Sequence, residues 1–250
     1  MMTFDLSGKT ALVTGASSGL GAHFAQVLAA HGAHVIIAAR RAAALEQVAA
    51  AISETGGKAT VAQLDVTDPA SIAALEPQLA ELDILVNNAG IVREAPALDQ
   101  TEADWDAVID TNLKGCFLMA QAAARAFRAN GRGGNIVNIA SILGLRQAGM
   151  VMPYAVAKAG LIQMTKSLAL EWARYNIAVN AIAPGYVETE LNGEFWKSAA
   201  GEAMLRRIPQ RRLGQLGDLD APLLMLASGA SAYMTGAILV VDGGHVTSSL

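Results

Sequence analysis

Tyr154 and Lys158 are the side chains whose types and spacing most directly suggest chemistry. On a helix, residues four apart lie on the same face, one turn from each other. A tyrosine hydroxyl has an ordinary pKa near 10, and lowering it toward about 7 takes roughly 4 kcal/mol of selective phenolate stabilisation. One ammonium about 4 Å away supplies about 4 kcal/mol at an effective dielectric constant near 20, although burial acts in the opposite direction. The pair therefore predicts a general acid and base assisted by a second positive charge.

A glycine-rich turn lies near the amino terminus, between an apolar run at 10–14 and a helix-length segment. Glycine permits backbone angles that are closed to other residues and lets amides approach a pyrophosphate. A helix that begins there adds free N–H groups and the positive end of its dipole. Because this strand–turn–helix context is the one expected of a dinucleotide-binding loop, we predict nucleotide contacts from Gly15, Ser17, Ser18, Gly19, Leu20 and Gly21.

Short β-branched segments alternate along the chain with longer segments rich in alanine and leucine. Consecutive apolar residues, as at 35–37 and 84–86, are typical of strands buried on both faces of a parallel sheet. Strands are predicted at 10–14, 34–39, 59–64, 84–87, 135–139, 177–183 and 237–241. Helices are predicted at 19–30, 42–54, 69–80, 102–128, 153–175 and 218–228. The pattern predicts an α/β fold, a doubly wound parallel seven-stranded sheet (Rossmann-like) with helices on both faces.

The composition narrows the class of protein. Of 250 residues, 53% are hydrophobic and 16% are charged, so burial can offset the ordering entropy and disorder is excluded. A net charge of −4 argues against a nucleic-acid partner. A lone cysteine, no signal peptide and no membrane span predict a cytoplasmic protein without membrane contact. We expect one domain over 1–250 and no metal site, because the histidines and the cysteine form no ligand-spaced cluster.

Several motifs, in this order, resemble those of the short-chain dehydrogenase/reductase family. The glycine turn reads Thr-Gly-x-x-x-Gly-x-Gly rather than Gly-x-Gly-x-x-Gly. It is followed by Asn87-Asn88-Ala89-Gly90, Asn112-Leu113-Lys114-Gly115, Ser141, Tyr154-x-x-x-Lys158, Pro184-Gly185 and Asp242-Gly243-Gly244. Each string is short, but each lies at the carboxyl end of a predicted strand or on the adjoining helix. The resemblance covers nearly the whole chain and implies a nicotinamide-dependent oxidoreductase.

The resemblance implies roles for four residues. Tyr154 is expected to protonate a carbonyl oxygen in reduction and to act as the base in alcohol oxidation. Ser141 is expected to donate a hydrogen bond to the same oxygen. Lys158 is expected to lower the tyrosine pKa and to bind the nicotinamide ribose, and Asn112 to hold a backbone water that links Lys158 to solvent. The oxidised nicotinamide ring would be the second positive charge.

The end of the second predicted strand bears on the choice of cofactor. An acidic residue there would hold a ribose 2′-hydroxyl, but the chain has Ala39 and then Arg40 and Arg41. A guanidinium grips a 2′-phosphate through two hydrogen bonds, and the family's NADP-preferring members resemble this chain at Arg40. We predict NADP(H) in preference to NAD(H), with Ser17 and Ser18 adding contacts. The alternative is that Arg40 and Arg41 are a solvated pair.

Further cofactor contacts are implied by the resemblance along the carboxyl edge of the sheet. They are Asp65 and Val66 at the adenine, Asn88, Ala89 and Gly90 at the ribose, Tyr154 and Lys158 at the nicotinamide ribose, and Pro184, Gly185, Val187 and Thr189 at the carboxamide and pyrophosphate. Alternatively, Asp65 caps a helix that begins at Pro69, and Pro-Gly is a plain turn.

The predicted substrate pocket combines Ser141, Leu143, Tyr154, Tyr186 and Leu191. The loop 142–152 is largely aliphatic, and 191–212, with Phe195 and Trp196, interrupts the alternation and is predicted to be a lid. These residues predict a small apolar ketone or secondary alcohol as substrate. Met150 and Met152 fit core packing or a subunit contact equally well. His245 borders either the pocket or a subunit contact.

Two alternative functions stay open. One is 3-oxoacyl-[acyl-carrier-protein] reduction, although Tyr175 occupies a position where such proteins are expected to carry arginine. The other is a non-catalytic NADP-binding sensor or scaffold, which the intact Ser141, Tyr154 and Lys158 disfavour. Because family members commonly pair their long helices across twofold axes, and because the chain is sparsely charged, we also predict a homotetramer.

Overall fold

The computed structural model describes residues 4–188, 196 and 198–248. Its centre is a seven-stranded parallel sheet in the order β3-β2-β1-β4-β5-β6-β7. The strands are β1 (Thr10–Thr14), β2 (His34–Ala39), β3 (Lys58–Gln63), β4 (Ile84–Asn87), β5 (Gly134–Ile139), β6 (Ile177–Pro184) and β7 (Ile238–Val241). The predicted doubly wound, Rossmann-like α/β fold is confirmed. Strand order reverses between β1 and β4, which is where such sheets bind ligands.

Helices cover both faces of the sheet. They are α1 (Gly19–Ala30), α2 (Ala42–Glu54), α3 (Pro69–Ala74), α4 (Glu76–Leu79), α5 (Glu102–Ile109), α6 (Gly115–Asn130), α7 (Met152–Trp172), α8 (Ala199–Leu205) and α9 (Asp220–Ala227). Neighbouring residues of one strand belong to different core layers. Val13 packs in the layer of α1 and α2, whereas Leu12 packs in that of α6 and α7. This two-sided burial explains the unbroken apolar runs in the sequence.

The sequence predicted a single helix over 69–80, and this prediction is wrong. The structure has α3 and α4, with Leu75 between them. Pro77 has no N–H and cannot complete the bond to the carbonyl four residues earlier, so a continuous helix is interrupted here. Asp68 caps α3 by accepting a hydrogen bond from the Ala70 N–H at 2.9 Å. The alternative that Asp65 is this cap is therefore also wrong.

The helix predicted over 102–128 is present and extends to Asn130, but it is not α-helical throughout. A π-helical turn, Asp110–Lys114, joins α5 to α6. Inside this turn the Asn112 side chain accepts from the Ile91 N–H and donates to the Ile91 carbonyl, both at 2.8 Å. The widened turn is thus fixed by contacts with a distant loop, which periodicity along the helix does not reveal.

The other predicted elements agree with the structure to within a few residues. The segment predicted as a helix over 153–175 is α7 followed by the 3-10 turn Ala173–Tyr175. Similarly, α9 is preceded by the 3-10 turn Leu216–Leu219. No helix in the described ranges is both long enough and apolar enough to span a bilayer.

The turn after β5 is pressed against α7. It is the 3-10 turn Ile142–Gly144, which Ser141 caps. A Cβ atom on Gly144 would lie 2.7 Å from the carbonyl carbon of Lys158 and 2.8 Å from Cδ1 of Ile162. Glycine therefore lets the turn approach the backbone of α7 and keeps Ser141 beside that helix.

We expect Gly144→Ala to lower the free energy of unfolding by about 1–3 kcal/mol, because the added methyl group overlaps the backbone of α7. Gly149→Ala is the matched control in the same loop, since a Cβ there would meet nothing within 4 Å. The control should leave the free energy of unfolding unchanged or raise it by up to about 1 kcal/mol. Urea denaturation measures both values, and equal losses in the two variants would contradict the packing argument.

Candidate active site

Tyr154 and Lys158 lie on one face of the first turns of α7. The Lys158 ammonium nitrogen is 5.5 Å from the centre of the Tyr154 ring. Lys158 is 4% exposed, whereas Tyr154 is half-buried. The spacing thus produces the juxtaposition that the sequence predicted, with the cation on the buried side of the phenol.

The Lys158 ammonium is held by a backbone carbonyl. Its Nζ donates to the Ile139 oxygen at 2.6 Å, and no carboxylate in the described part of the chain forms an ion pair with it. An ammonium has three donors, so two remain for other acceptors. Burial raises the pKa of the nearby Cys116 thiol to about 11, although the positive charge of Lys158 acts to lower it. This thiol therefore stays protonated at neutral pH.

Ser141 follows β5 and is almost buried, at 9% exposure. Its Oγ accepts a hydrogen bond from the Leu143 N–H at 3.1 Å. Because the oxygen already accepts from the backbone, the hydroxyl hydrogen is available to be donated to another oxygen. The structure thus brings Ser141, Leu143, Tyr154 and Lys158 together at the junction of β5 and α7.

Asn112 is fully buried behind this group. Both polar atoms of its side chain bond to Ile91, so the side chain positions the loop after β4. The side chain of Asn112 is therefore already paired, and the contact with a water stays a prediction for its backbone.

The structure brings most of the predicted cofactor residues together at the switch point between β1 and β4. They line a cavity of about 420 Å³. The predicted residues in it are Gly15, Ser17, Ser18, Gly19, Leu20, Gly21, Arg40, Asp65, Val66, Asn88, Ala89 and Gly90.

The turn in this cavity fits a pyrophosphate. Gly15 and Gly19 have φ values of 66° and 54°, which glycine adopts without strain. A Cβ on Gly15 would lie 2.8 Å from the Ala89 Cα, whereas one on Gly19 would meet no protein atom within 4 Å. Ser18 precedes α1 and makes no side-chain cap, so the first N–H groups of α1 are free for an anion.

Thr14 is a residue of this cleft that the sequence analysis did not single out. Its Oγ1 accepts from the N–H groups of Asn88 and Ala89, at 3.0 and 3.1 Å. In return, the Asn88 side chain donates to the Thr14 carbonyl at 3.1 Å. These bonds join the loops that follow β1 and β4 and fix the width of the cleft.

Arg41 was considered only as one of a solvated pair with Arg40, and the structure places it in the lining of this cleft. Its Nη2 donates to Ser17 Oγ at 2.9 Å and to Ser18 Oγ at 2.8 Å. The guanidinium of Arg41 therefore lies on the two predicted phosphate-binding hydroxyls, while the exposed Arg40 lines the same cavity. The sequence signal was present, because Arg41 follows Arg40 directly.

Asp65, which the resemblance implied at the adenine, lines the same cavity. The backbone N–H of Thr67 bonds to its Oδ1 at 2.9 Å. This bond is the main cause that holds the pKa of Asp65 below its ordinary value, and Arg40 contributes a smaller electrostatic effect in the same direction. The carboxylate is thus ionised and turned toward its own loop.

Pro184, Gly185 and Val187 lie where β6 ends. A Cβ on Gly185 would lie 2.8 Å from the Asp242 Cα, so the ends of β6 and β7 are in close contact. Val187 lines a second cavity, of about 360 Å³, instead of the first one. The predicted contacts Thr189, Leu191 and Phe195 lie outside the described residues, as does part of the predicted lid.

Tyr186 is at the centre of a group of rings at this end of the sheet. Its ring centroid is 5.1 Å from that of Trp196 and 5.7 Å from that of His245. Burial raises the pKa of Tyr186. The charge of Arg207 lowers this pKa, and the charge of Tyr154 raises it. Tyr186 is thus near Tyr154, and His245 packs against the Tyr186 ring.

Known proteins are similar to this chain over nearly its whole length. A family model described as enoyl-(acyl carrier protein) reductase matches residues 15–246. The chain is 41% identical to 2-dehydro-3-deoxy-D-gluconate 5-dehydrogenase of Escherichia coli, over 98% of both chains. It is 40% identical to 3-oxoacyl-[acyl-carrier-protein] reductase of the same organism, over 96% of this chain and 98% of that protein.

Solved structures show the same agreement. The crystal structure of a gluconate 5-dehydrogenase from Burkholderia cenocepacia, in complex with NADP and tartrate, superposes with a TM-score of 0.92 at 38% identity. The superposition covers 99% of this chain and 98% of that one. With its fold, its glycine turn and its Tyr-x-x-x-Lys helix in place, the chain belongs to the short-chain dehydrogenase/reductase family.

Proposed function

We propose that this protein is an NADP(H)-preferring carbonyl reductase or alcohol dehydrogenase that interconverts a ketone and a secondary alcohol of a small substrate. The relatives are oxidoreductases that act on CH–OH groups, and this supports the reaction class. The observation that carries the proposal is the buried Lys158 ammonium, 5.5 Å from the Tyr154 ring, beside a Ser141 hydroxyl that is free to donate.

Residues of this chain transfer the proton in this reaction. When bound, a nicotinamide cofactor supplies or accepts the hydride at the carbinol carbon. Tyr154 gives its hydroxyl proton to the substrate oxygen in reduction and takes it back in oxidation. Ser141 donates a hydrogen bond to the same oxygen and stabilises its developing negative charge. Lys158 stabilises the phenolate by its charge, and Asn112, through its backbone, holds a water that returns the proton to Lys158 from solvent.

The preference for NADP(H) rests on charge at the end of β2. A 2′-phosphate near Ser17 and Ser18 would face the guanidinium groups of Arg40 and Arg41, and Ala39 places no carboxylate there. Arginine binds phosphate through paired hydrogen bonds. The related gluconate 5-dehydrogenase with bound NADP supports the same cofactor.

Different observations support two substrate classes, an apolar ketone and a hydrophilic acid. The aliphatic loop after Ser141 supports the predicted apolar ketone, although Leu145, Met150 and Met152 of this loop are exposed and equally suit a subunit contact. The relatives act on gluconate and on a deoxygluconate, as their names state, which supports a hydrophilic acid. The apolar substrate stays a prediction.

Reduction of a 3-oxoacyl carrier protein is the second candidate function. One relative has this activity by name. The rings and cations at the end of α7 favour it, because Arg128 and Arg174 lie 4.3 and 5.1 Å from the centre of the Tyr175 ring. Two positive charges therefore lie at Tyr175, the position where such proteins are expected to carry arginine.

Three further parts of the proposal concern the whole protein. Exposed apolar side chains on α6 and α7, Phe117, Val156 and Leu170, support the predicted homotetramer.

A cytoplasmic location remains proposed from the composition. We also propose that 1–250 forms one domain, with 191–212 as a lid over the substrate.

Tyr154→Phe should reduce kcat by about 10²- to 10⁴-fold, because it removes the hydroxyl that moves the proton. Turnover is followed by the absorbance of the reduced cofactor with the best substrate from a panel of ketones and secondary alcohols. Binding of NADPH, followed by fluorescence, should survive. Tyr233→Phe is the matched control, since Tyr233 is fully exposed. Wild-type turnover in Tyr154→Phe would reject the catalytic role, and NADPH binding without turnover by the wild type would favour the sensor alternative.

Wild-type protein should show a higher kcat/KM with NADPH than with NADH. Arg40→Met and Arg41→Met should each lower kcat/KM for NADPH by about 10- to 100-fold, the effect of losing a charged hydrogen bond. Their kcat/KM for NADH should change by less than about threefold. Arg125→Met, an exposed change on α6, serves as the control. A wild-type preference for NADH would overturn the cofactor assignment.

A further inference from the structure

The last described turn of the chain, His245–Thr247, lies beside Tyr186. Together with Asp242, Arg146 and 207–210, which pack around it, this turn forms the surface that we call the wall. Both oxygens of Asp242 hold it: Oδ1 accepts from the Gly244 N–H at 2.8 Å and Oδ2 from the Val246 N–H at 2.6 Å. Because its two oxygens are bonded to backbone amides, the Asp242 carboxylate orients the turn. The His245 ring then packs against the Tyr186 ring, with the centroids 5.7 Å apart.

Arg146 fastens the same turn from the opposite side. Its Nη1 donates to the His245 carbonyl and, at 3.2 Å, to Ser248 Oγ. Arg146 belongs to the loop that begins at Ser141, so the carboxyl-terminal turn is attached to the catalytic loop. These acceptors are neutral, and no ion pair joins Arg146 to a carboxylate among the residues that the structure covers.

The segment after α8 forms the third side. The Gln210 N–H donates to the Gly243 carbonyl at 3.1 Å. A Cβ on Gly243 would lie 3.0 Å from Ile208 Cγ2, and one on Gly244 would lie 3.1 Å from Pro209 Cγ. This tight contact brings the neighbouring Arg207 to the edge of the wall. Arg207 is exposed and forms no ion pair with any acid of the described ranges.

Two arginines and one carboxylate of the described residues belong to the wall. Arg146 and Arg207 outnumber Asp242, whose carboxylate is already bonded to the backbone. Burial is the main cause that lowers the pKa of His245, and the charges of Arg146 and Arg207 lower it further. The Asp242 carboxylate has the opposite effect. Arg207 also lowers the pKa of Tyr186 against the effect of burial. Both rings thus respond to the charge of Arg207, in agreement with the contacts of 208–210 with Gly243 and Gly244.

The His245 ring has an unused hydrogen-bonding atom. Its Nδ1 is buried and makes no hydrogen bond with the described residues. A buried polar atom without a partner costs free energy. An anionic oxygen would accept a hydrogen bond from this nitrogen in the tautomer whose Nδ1 carries the ring proton.

We propose that this wall is the substrate-recognition end of the pocket, where Arg207 and His245 bind the carboxylate of a small hydroxy acid or keto acid. The inference rests on the proposed function, because the reacting carbon of that molecule lies at Tyr154 and Ser141. Tyr186 packs against His245, and its pKa responds to both Tyr154 and Arg207, so the carboxylate and the reacting carbon belong to one small molecule. Arg146 is a positioning residue, since it holds the turn that carries His245.

Matched substrate pairs test this assignment. In each pair only the carboxylate differs: 5-oxohexanoate against 2-hexanone, and gluconate against glucitol. The wild type should show the higher kcat/KM for the acid in at least one pair. In Arg207→Met the ratio of kcat/KM for acid and neutral partner should fall by about 10- to 100-fold, with the loss in KM. His245→Gln should lower the ratio by a smaller factor, and Arg207→Lys should retain part of it.

Arg206→Met is the control, because it removes a neighbouring exposed charge that the wall does not use. A wild type that prefers the neutral member of both pairs, or an Arg207→Met variant with an unchanged ratio, would overturn the inference and leave the oxidoreductase function standing. Equal effects of Arg206→Met and Arg207→Met would also overturn it, since they indicate a general effect of charge. If the wild type turns over no ketone or alcohol with either cofactor, the proposed function itself fails.

Discussion

The position of one buried cation constrains the whole site. Lys158 is 4% exposed, and its ammonium is bonded to the Ile139 carbonyl at the end of β5. A buried charge is costly unless it is paired or hydrogen-bonded, so the start of α7 must lie against the end of this strand. Ser141 follows Ile139 closely in sequence, and Gly144 allows the intervening turn to contact the helix backbone. Tyr154, one turn earlier on α7, is then held over the cation.

A chain of buried amides sets the register between the sheet and α7. Asn87 on β4 donates to Asn138 on β5 at 3.0 Å, and Asn138 donates to Thr165 on α7 at 2.9 Å. Each of these side chains is at most 1% exposed. Apolar packing alone tolerates small sliding of a helix, whereas a buried amide that loses its partner carries a desolvation cost. The chain of bonds therefore fixes the depth of α7, on which the placement of Lys158 at Ile139 depends.

The sequence predicted what depends on local pattern and missed what depends on distant contacts. Continuous apolar strands and the glycine turn predicted the sheet and the cleft at its switch point. The π-helical turn was missed because it depends on Asn112 bonding to Ile91 in another loop. Arg41 was considered only as part of a solvated pair, since the direction of its side chain depends on the backbone after β2. His245 stayed unassigned because Arg146, from a different part of the chain, fixes its turn.

The two ends of the pocket differ in physical origin. The proposed catalytic end depends on buried bonds between β5 and α7, so a change there also costs folding free energy. At the proposed recognition end Arg207 is exposed, so this side chain can change with little effect on stability, whereas the turn of His245 is held by Asp242 and Arg146. Relatives at about 40% identity share the fold while their names state different substrates. This division is expected where conserved chemistry is built on the core and substrate recognition on the segments around it.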